Sequence, residues 1–183
     1  MQDIRYSRTE QWICDAGWKL LREKHVDKVT VQEICRCAQI SRNTFYSHFL
    51  DKYELVDKLV LRFVHQITDE IPKVNQDSSF EEAITTTART LFSYLLKNRD
   101  GLNICVANHP GFWGVLFSEL RDLIYEYIEA TPQNRLYATY ACGGLIRCLS
   151  EFFSGTLLIS ESDFLQYLPK IASKSNQIMW PKQ

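Results

Sequence analysis

The chain has 183 residues, 45% apolar and 13% aromatic, with a formal net charge of −1. That supports one sizeable core or two small ones and excludes a strongly basic, sequence-blind nucleic-acid binder. No uninterrupted apolar stretch reaches the roughly 18 residues of a membrane span, and Asp3, Arg5, Arg8, Glu10 and Asp15 replace a signal-peptide core, so a cytoplasmic protein with no membrane partner is expected.

In chain order, Ser7 with Glu10 predicts a capping box opening a first helix from about Arg8 to Lys24, with Trp12, Ile13, Ala16, Leu20 and Leu21 facing inward. Thr30 with Glu33 predicts a second box and a helix from Val31, whose face carries Ile34, Cys35 and Ala38. A turn at Gln39 and Ile40 leads to Ser41, the cap of a short helix that buries Phe45 and Phe49 and turns Arg42, Asn43, Thr44, Ser47 and His48 outward. Asp51 caps a fourth helix, Lys52 to about Glu70, with Tyr53, Val56, Leu59, Val60 and Phe63 as its inward stripe. Further helices are expected from Ser79 to Asn98, from Asp100 to His109, from Phe112 to Ala130, from Pro132 to Gly155 and from Ser160 to about Ile171, with Pro169 shortening the last. Apolar spacing of three and four, never sustained alternation, makes the fold all-α. The expected division is a helix-turn-helix DNA-binding domain at 1–55 and a helical ligand-binding and dimerisation domain at 56–183, joined by the fourth helix.

Two short helices around a tight turn form a DNA reader, and the segment from Ala38 through Thr44–Phe49 to Lys52 resembles the helix-turn-helix of the TetR/AcrR family of transcriptional regulators. The family pattern usually places glycine after that alanine and often before the threonine; here Gln39 and Asn43 stand there. The larger half resembles the small Firmicutes-type C-terminal regulatory domains of that family. The resemblance implies a sequence-specific regulator, a homodimer on a palindromic operator of double-stranded DNA, controlled by a small-molecule effector and acting as a repressor in preference to an activator. The alternative is a ligand- or partner-dependent coactivator working through protein contacts. Its motive is a near-neutral head, since residues 1–60 hold ten Lys or Arg against nine Asp or Glu.

For DNA, guanidinium matches guanine and carboxamide matches adenine, which selects Arg42 and Asn43 for base edges, with Thr44 adding a methyl or hydroxyl. Tyr46, His48, Lys52 and the Thr30 helix start suit phosphates, roles partly taken from the family resemblance. An effector pocket is expected among Phe92, Asn103, His109, Trp113 and Tyr137. The helix from Gln133 to Ser154 is apolar on nearly every side and so needs two burial partners. A dimer interface is therefore expected at Tyr140, Gly144, Leu145, Cys148 and Phe152. No nucleophile elbow, phosphate loop, dinucleotide fingerprint or paired metal histidines occurs, so neither catalysis, cofactor nor metal is expected. The six cysteines read as reduced core residues.

Overall fold

The computed structural model describes residues 4–72, 80–126 and 128–179. Among them the regular structure is helical: α1 (Ile4–Glu23), a 3-10 turn (Val26–Lys28), α2 (Val31–Ala38), α3 (Arg42–Tyr46), α4 (Lys52–Asp69), α5 (Phe80–Lys97), α6 (Arg99–Asn108), α7 (Phe112–Tyr125), α8 (Pro132–Phe153) and α9 (Glu161–Met179). The all-α expectation holds.

Two compact units form, divided within α4 after Phe63. The first holds the head, the start of α4 and Asp100–Phe112; the second holds Val64–Arg99 and the chain from Trp113 onward. The inclusion of α6 in the first unit was not legible in the sequence, and polar contacts explain it. Val26 N–H donates to Asn108 Oδ1 at 2.7 Å, and Asn108 Nδ2 donates to Ile104 O at 2.8 Å, so this buried carboxamide caps the 3-10 turn. His25 Nε2 lies 2.9 Å from Ala107 O, and His109 Nε2 lies 3.3 Å from Asp57. Gly101 lets α6 close on α4, because a Cβ there would meet the Phe63 ring at 2.9 Å.

In the first unit Ile13, Ala16, Ile34, Phe45, Phe49, Leu55 and Leu59 are buried together. Arg62 and Lys58 of α4 both reach Glu10 of α1, at 2.7 and 3.2 Å, bracing the two helices at the edge of that core. In the second unit Phe92 is fully buried among Phe152, Phe153 and Phe164, with ring centroids 4.7–6.0 Å away. The turn after α8 is a Schellman stop: Thr156 N–H donates to Glu151 O, Gly155 N–H donates to Phe152 O, and Gly155 takes the left-handed φ of 76° that this geometry needs.

Several sequence expectations are corrected. Ser7 lies inside α1 instead of capping it, since the helix already includes Ile4. Trp12 is 46% and Tyr53 49% exposed, because both sit at the margin of the buried stripe of their helices. α7 ends at Tyr125, short of Ala130, and α9 continues past Pro169 to Met179. The Ser79 cap falls outside the described residues.

Cys14, Cys35, Cys105 and Cys142 are buried and Cys37 and Cys148 half-buried, all as free thiols. Burial pushes the Cys14 thiol up to about 11 and those of Cys105 and Cys142 to about 12, holding these three sulfurs protonated.

Candidate nucleic-acid interface

The reading head is built on three caps in succession. Thr30 Oγ1 accepts Glu33 N–H at 3.3 Å while the Glu33 carboxylate accepts Thr30 N–H at 2.9 Å, completing the reciprocal box. Lys24 Nζ closes on the same carboxylate at 2.6 Å. That ammonium, with the Thr30 hydrogen bonds, holds the Glu33 carboxyl down at about 2. The Thr30 hydroxyl also donates to Glu33, at 2.9 Å, so its bonding is spent within the cap. What the start of α2 offers an anion is its first-turn amides, beside a carboxylate already neutralised by Lys24.

α2 stops in a second Schellman turn. Ile40 N–H donates to Cys35 O at 3.0 Å, and Gln39 adopts φ 56°, ψ 43°, the left-handed conformation that favours glycine. Ser41 then caps α3: its Oγ accepts Thr44 N–H at 3.0 Å and shares a 2.8 Å hydrogen bond with Thr44 Oγ1. The Thr44 hydroxyl is thus engaged, leaving its methyl as the freer contact. Phe45, fully buried, anchors the five-residue helix, with Phe49 one turn further on packing beside it.

Arg42 and Asn43, in the first turn of α3, are exposed, and neither side chain has a hydrogen-bond or ion-pair partner among the described residues. Tyr46 is 50% exposed. These three stand out from α3 as donors without internal duties.

Two other sequence-selected residues carry structural duties. Lys52 Nζ donates to the carbonyls of Asp27 and Val29 at 3.1 and 2.9 Å, tying the start of α4 to the 3-10 turn. An ammonium has three donors, so one stays available. His48 is half-buried and stacked on Tyr6, with centroids 3.9 Å apart, and its Nδ1 is buried without a partner among the described residues. Tyr6 in turn donates to Ser47 O at 3.4 Å. Tyr6 was missed in the sequence because it precedes the expected start of the first helix. Asp51 Oδ1 caps α4 by accepting Tyr53 and Glu54 N–H at 2.8 and 2.9 Å, while the Glu54 carboxylate accepts Leu50 N–H.

The residues selected for an effector pocket are not gathered by either unit. Asn103 and His109 lie on and just after α6 in the first; Phe92, Trp113 and Tyr137 lie in the second, where Phe92 and Tyr137 are core residues and Trp113 stacks near Phe153. The residues selected for a dimer interface divide by depth. Tyr140 is 61% exposed and Gly144 exposed, Leu145 and Cys148 lie just beneath, and Phe152 points into the aromatic core. Tyr140, Gly144, Leu145 and Cys148 help line an apolar groove of about 170 Å³ that also takes in Ile84, Leu168 and Ile171 of α5 and α9.

Among the described residues no group of His, Cys, Asp and Glu is arranged to hold a metal ion, and no helix is long and apolar enough to cross a membrane.

Residues 13–59, from α1 to mid-α4, match the family model described as bacterial regulatory proteins, tetR family. The chain is 25% identical over 178 residues to the HTH-type transcriptional regulator YxbF of Bacillus subtilis (strain 168), described as uncharacterized; the match covers 91% of this chain and 46% of the relative. It thus spans about half the length of the curated relatives it matches. Its fold is similar to that of a Mesorhizobium loti protein assigned to the TetR family, with TM-score 0.63 and 20% identity over 96% of this chain and 98% of the other. It is also similar in fold to a single-residue variant of TetR from Acinetobacter baumannii AYE in complex with minocycline, with TM-score 0.56, 16% identity, and 92% and 96% coverage. A capped two-helix reader with an exposed Arg-Asn pair, the match across that reader and the fold shared along the chain lead to one assignment: residues 13–59 carry the helix-turn-helix head of the TetR family of bacterial regulatory proteins, on a chain whose fold is similar to that of solved TetR-family proteins.

Proposed function

We propose that the protein is a sequence-specific, DNA-binding transcriptional regulator that works as a homodimer on a palindromic operator and answers to a small-molecule effector, as a repressor. The observation that carries the DNA reading is the pair Arg42 and Asn43, exposed and uncommitted at the first turn of a helix locked from behind by Phe45. Both are side chains that can reach base edges bidentately. Tyr46 and the third proton of Lys52 serve the phosphate backbone and set register. Because Lys52 also holds the turn before α2, its loss acts through positioning as well as charge.

Dimerisation rests on α8, which leaves Leu136 67% and Tyr140 61% exposed while Ala138, Cys142, Ile146 and Leu149 of the same helix are buried, with Ile171 of α9 57% exposed. A single five-residue recognition helix reads few bases, and a twofold pair doubles the readout in successive major grooves. Effector control is proposed by analogy with the fold relative solved in complex with minocycline.

The test is binding of the full chain to its selected duplex. Asn43→Ala should relax preference at one base position in each half-site, costing about 1–3 kcal/mol there. Lys52→Ala should weaken all duplexes alike and reduce the salt slope. Equal effects of both variants on every sequence would remove the base-reading role from Asn43.

A further inference from the structure

A polar groove of about 480 Å³ lies in the second unit along α5, lined by Glu70, Arg89, Thr90, Ser93, Tyr94 and Lys97, with Asn98 at its end. Arg89, Ser93 and Lys97 are each four residues apart and share one helix face, spanning about 12 Å of axis. Thr90 and Tyr94 form the adjoining row.

The charged groups and small hydroxyls of the groove are unspent among the described residues. Among the described residues Arg89, Lys97 and Glu70 form no ion pair, although opposite charges share one concavity. Elsewhere in this unit Arg121 holds Asp122 at 2.7 Å and Arg147 holds Glu151 at 2.8 Å. The Thr90 and Ser93 hydroxyls have no hydrogen bond among the described residues. Helical hydroxyls usually return to a carbonyl one turn back, as Thr139 does with Arg135 O at 2.8 Å. The floor beneath is fixed. Tyr94 Oη donates to Gln66 Oε1 at 3.4 Å and Asn98 Nδ2 donates to Tyr94 O at 2.9 Å. Partial burial and the nearby Glu70 charge push the Tyr94 phenol up, so it remains a neutral group.

We propose that this groove binds a phosphorylated polyol, with its phosphate on Arg89, Ser93 and Lys97 and its hydroxyls on Glu70. A phosphate monoester dianion uses both cations, the guanidinium fork through two oxygens and the ammonium as a point charge. A monocarboxylate would leave one of them idle. Glu70, beside Tyr94, accepts from the hydroxyls and repels a second anionic group, which disfavours polyanions such as a nucleic-acid strand or an acidic peptide. This site shares no lining residue with the apolar groove between α5, α8 and α9 and is separate from it.

The experiment is titration calorimetry of the full chain with ribose 5-phosphate, set beside ribose and inorganic phosphate at constant ionic strength. The expected result is binding of ribose 5-phosphate, weaker binding of phosphate and none of ribose. Arg89→Ala and Lys97→Ala should each weaken the sugar phosphate by about tenfold or more. Glu70→Gln should retain phosphate binding and lose the preference for the sugar phosphate. All three residues are exposed, and a melting curve for each variant confirms that it folds. The proposal is overturned by absence of heat up to about 10 mM ligand, by affinity unchanged in Arg89→Ala and Lys97→Ala, or by an oligoglutamate displacing the sugar phosphate at matched charge.

Discussion

Gln39 carries the clearest local conflict in the head. A residue with a Cβ in the left-handed region costs about 1–2 kcal/mol, and Gln39 lies there with φ 56°. Gln39→Gly should therefore raise unfolding free energy by about 1 kcal/mol after the greater chain entropy of glycine is subtracted. Urea denaturation checks this; a loss of stability would mean that the Gln39 side chain makes a compensating contact. Glu33 supplies the pH counterpart. Its folded carboxyl titrates near 2, below the ordinary carboxylate range, so its contribution is complete above that range and is lost as pH falls toward 2. Glu33→Gln removes this contribution, so the stability gap between wild type and variant should narrow steadily below about pH 4.5. A gap constant down to pH 2.5 would show that the carboxylate has no special partner in the folded state.

At the scale of elements, legibility followed the reach of the interactions. The α2, α3 and α4 starts were readable because Thr30, Ser41 and Asp51 act on amides two or three residues away, a signal contained in any short window. The placement of α6 in the first unit was not, because Asn108 caps a turn 82 positions distant. Nor could the sequence show that Lys52 is engaged by two carbonyls 23 and 25 residues upstream, or that His48 is stacked under Tyr6. A motif locates a head residue's neighbourhood but not the partners it already serves. For α8 the all-round apolar pattern was readable, but its division into buried and exposed faces was not: Phe152 is half-buried against the Phe92 and Phe164 rings, whereas Leu136, absent from the expected interface, is the most exposed apolar residue on the helix. If that face pairs with a second copy, Leu136→Glu with Tyr140→Glu should convert the protein to a monomer in sedimentation velocity without unfolding it, since like charges would be driven together across a twofold axis. A wild type that already sediments as a monomer at micromolar concentration would sink the dimer proposal.

The whole molecule joins two units with different chemistry. The first is nearly neutral overall but presents Arg42 and Asn43 without partners among the described residues, with Tyr46 beside them, while the Glu33 carboxylate of the same head is held by Lys24. Placement of charge, not its total, makes the surface fit for DNA, which is why composition alone pointed nowhere. The second unit is built around an aromatic core, with an apolar groove on one helix set and a polar groove along α5, so binding of small molecules and of a second copy need not compete for the same residues. The measurement that bears most directly on the central claim is affinity selection by the full chain from a random duplex pool at about 0.15 M salt, where exposed charges are screened over distances of roughly 8 Å. Recovery of a palindromic motif, with half-sites centred about one helical turn or a multiple of it apart, is the predicted result. Duplexes recovered with no sequence in common, or no retention of DNA at all, would contradict a base-reading dimer.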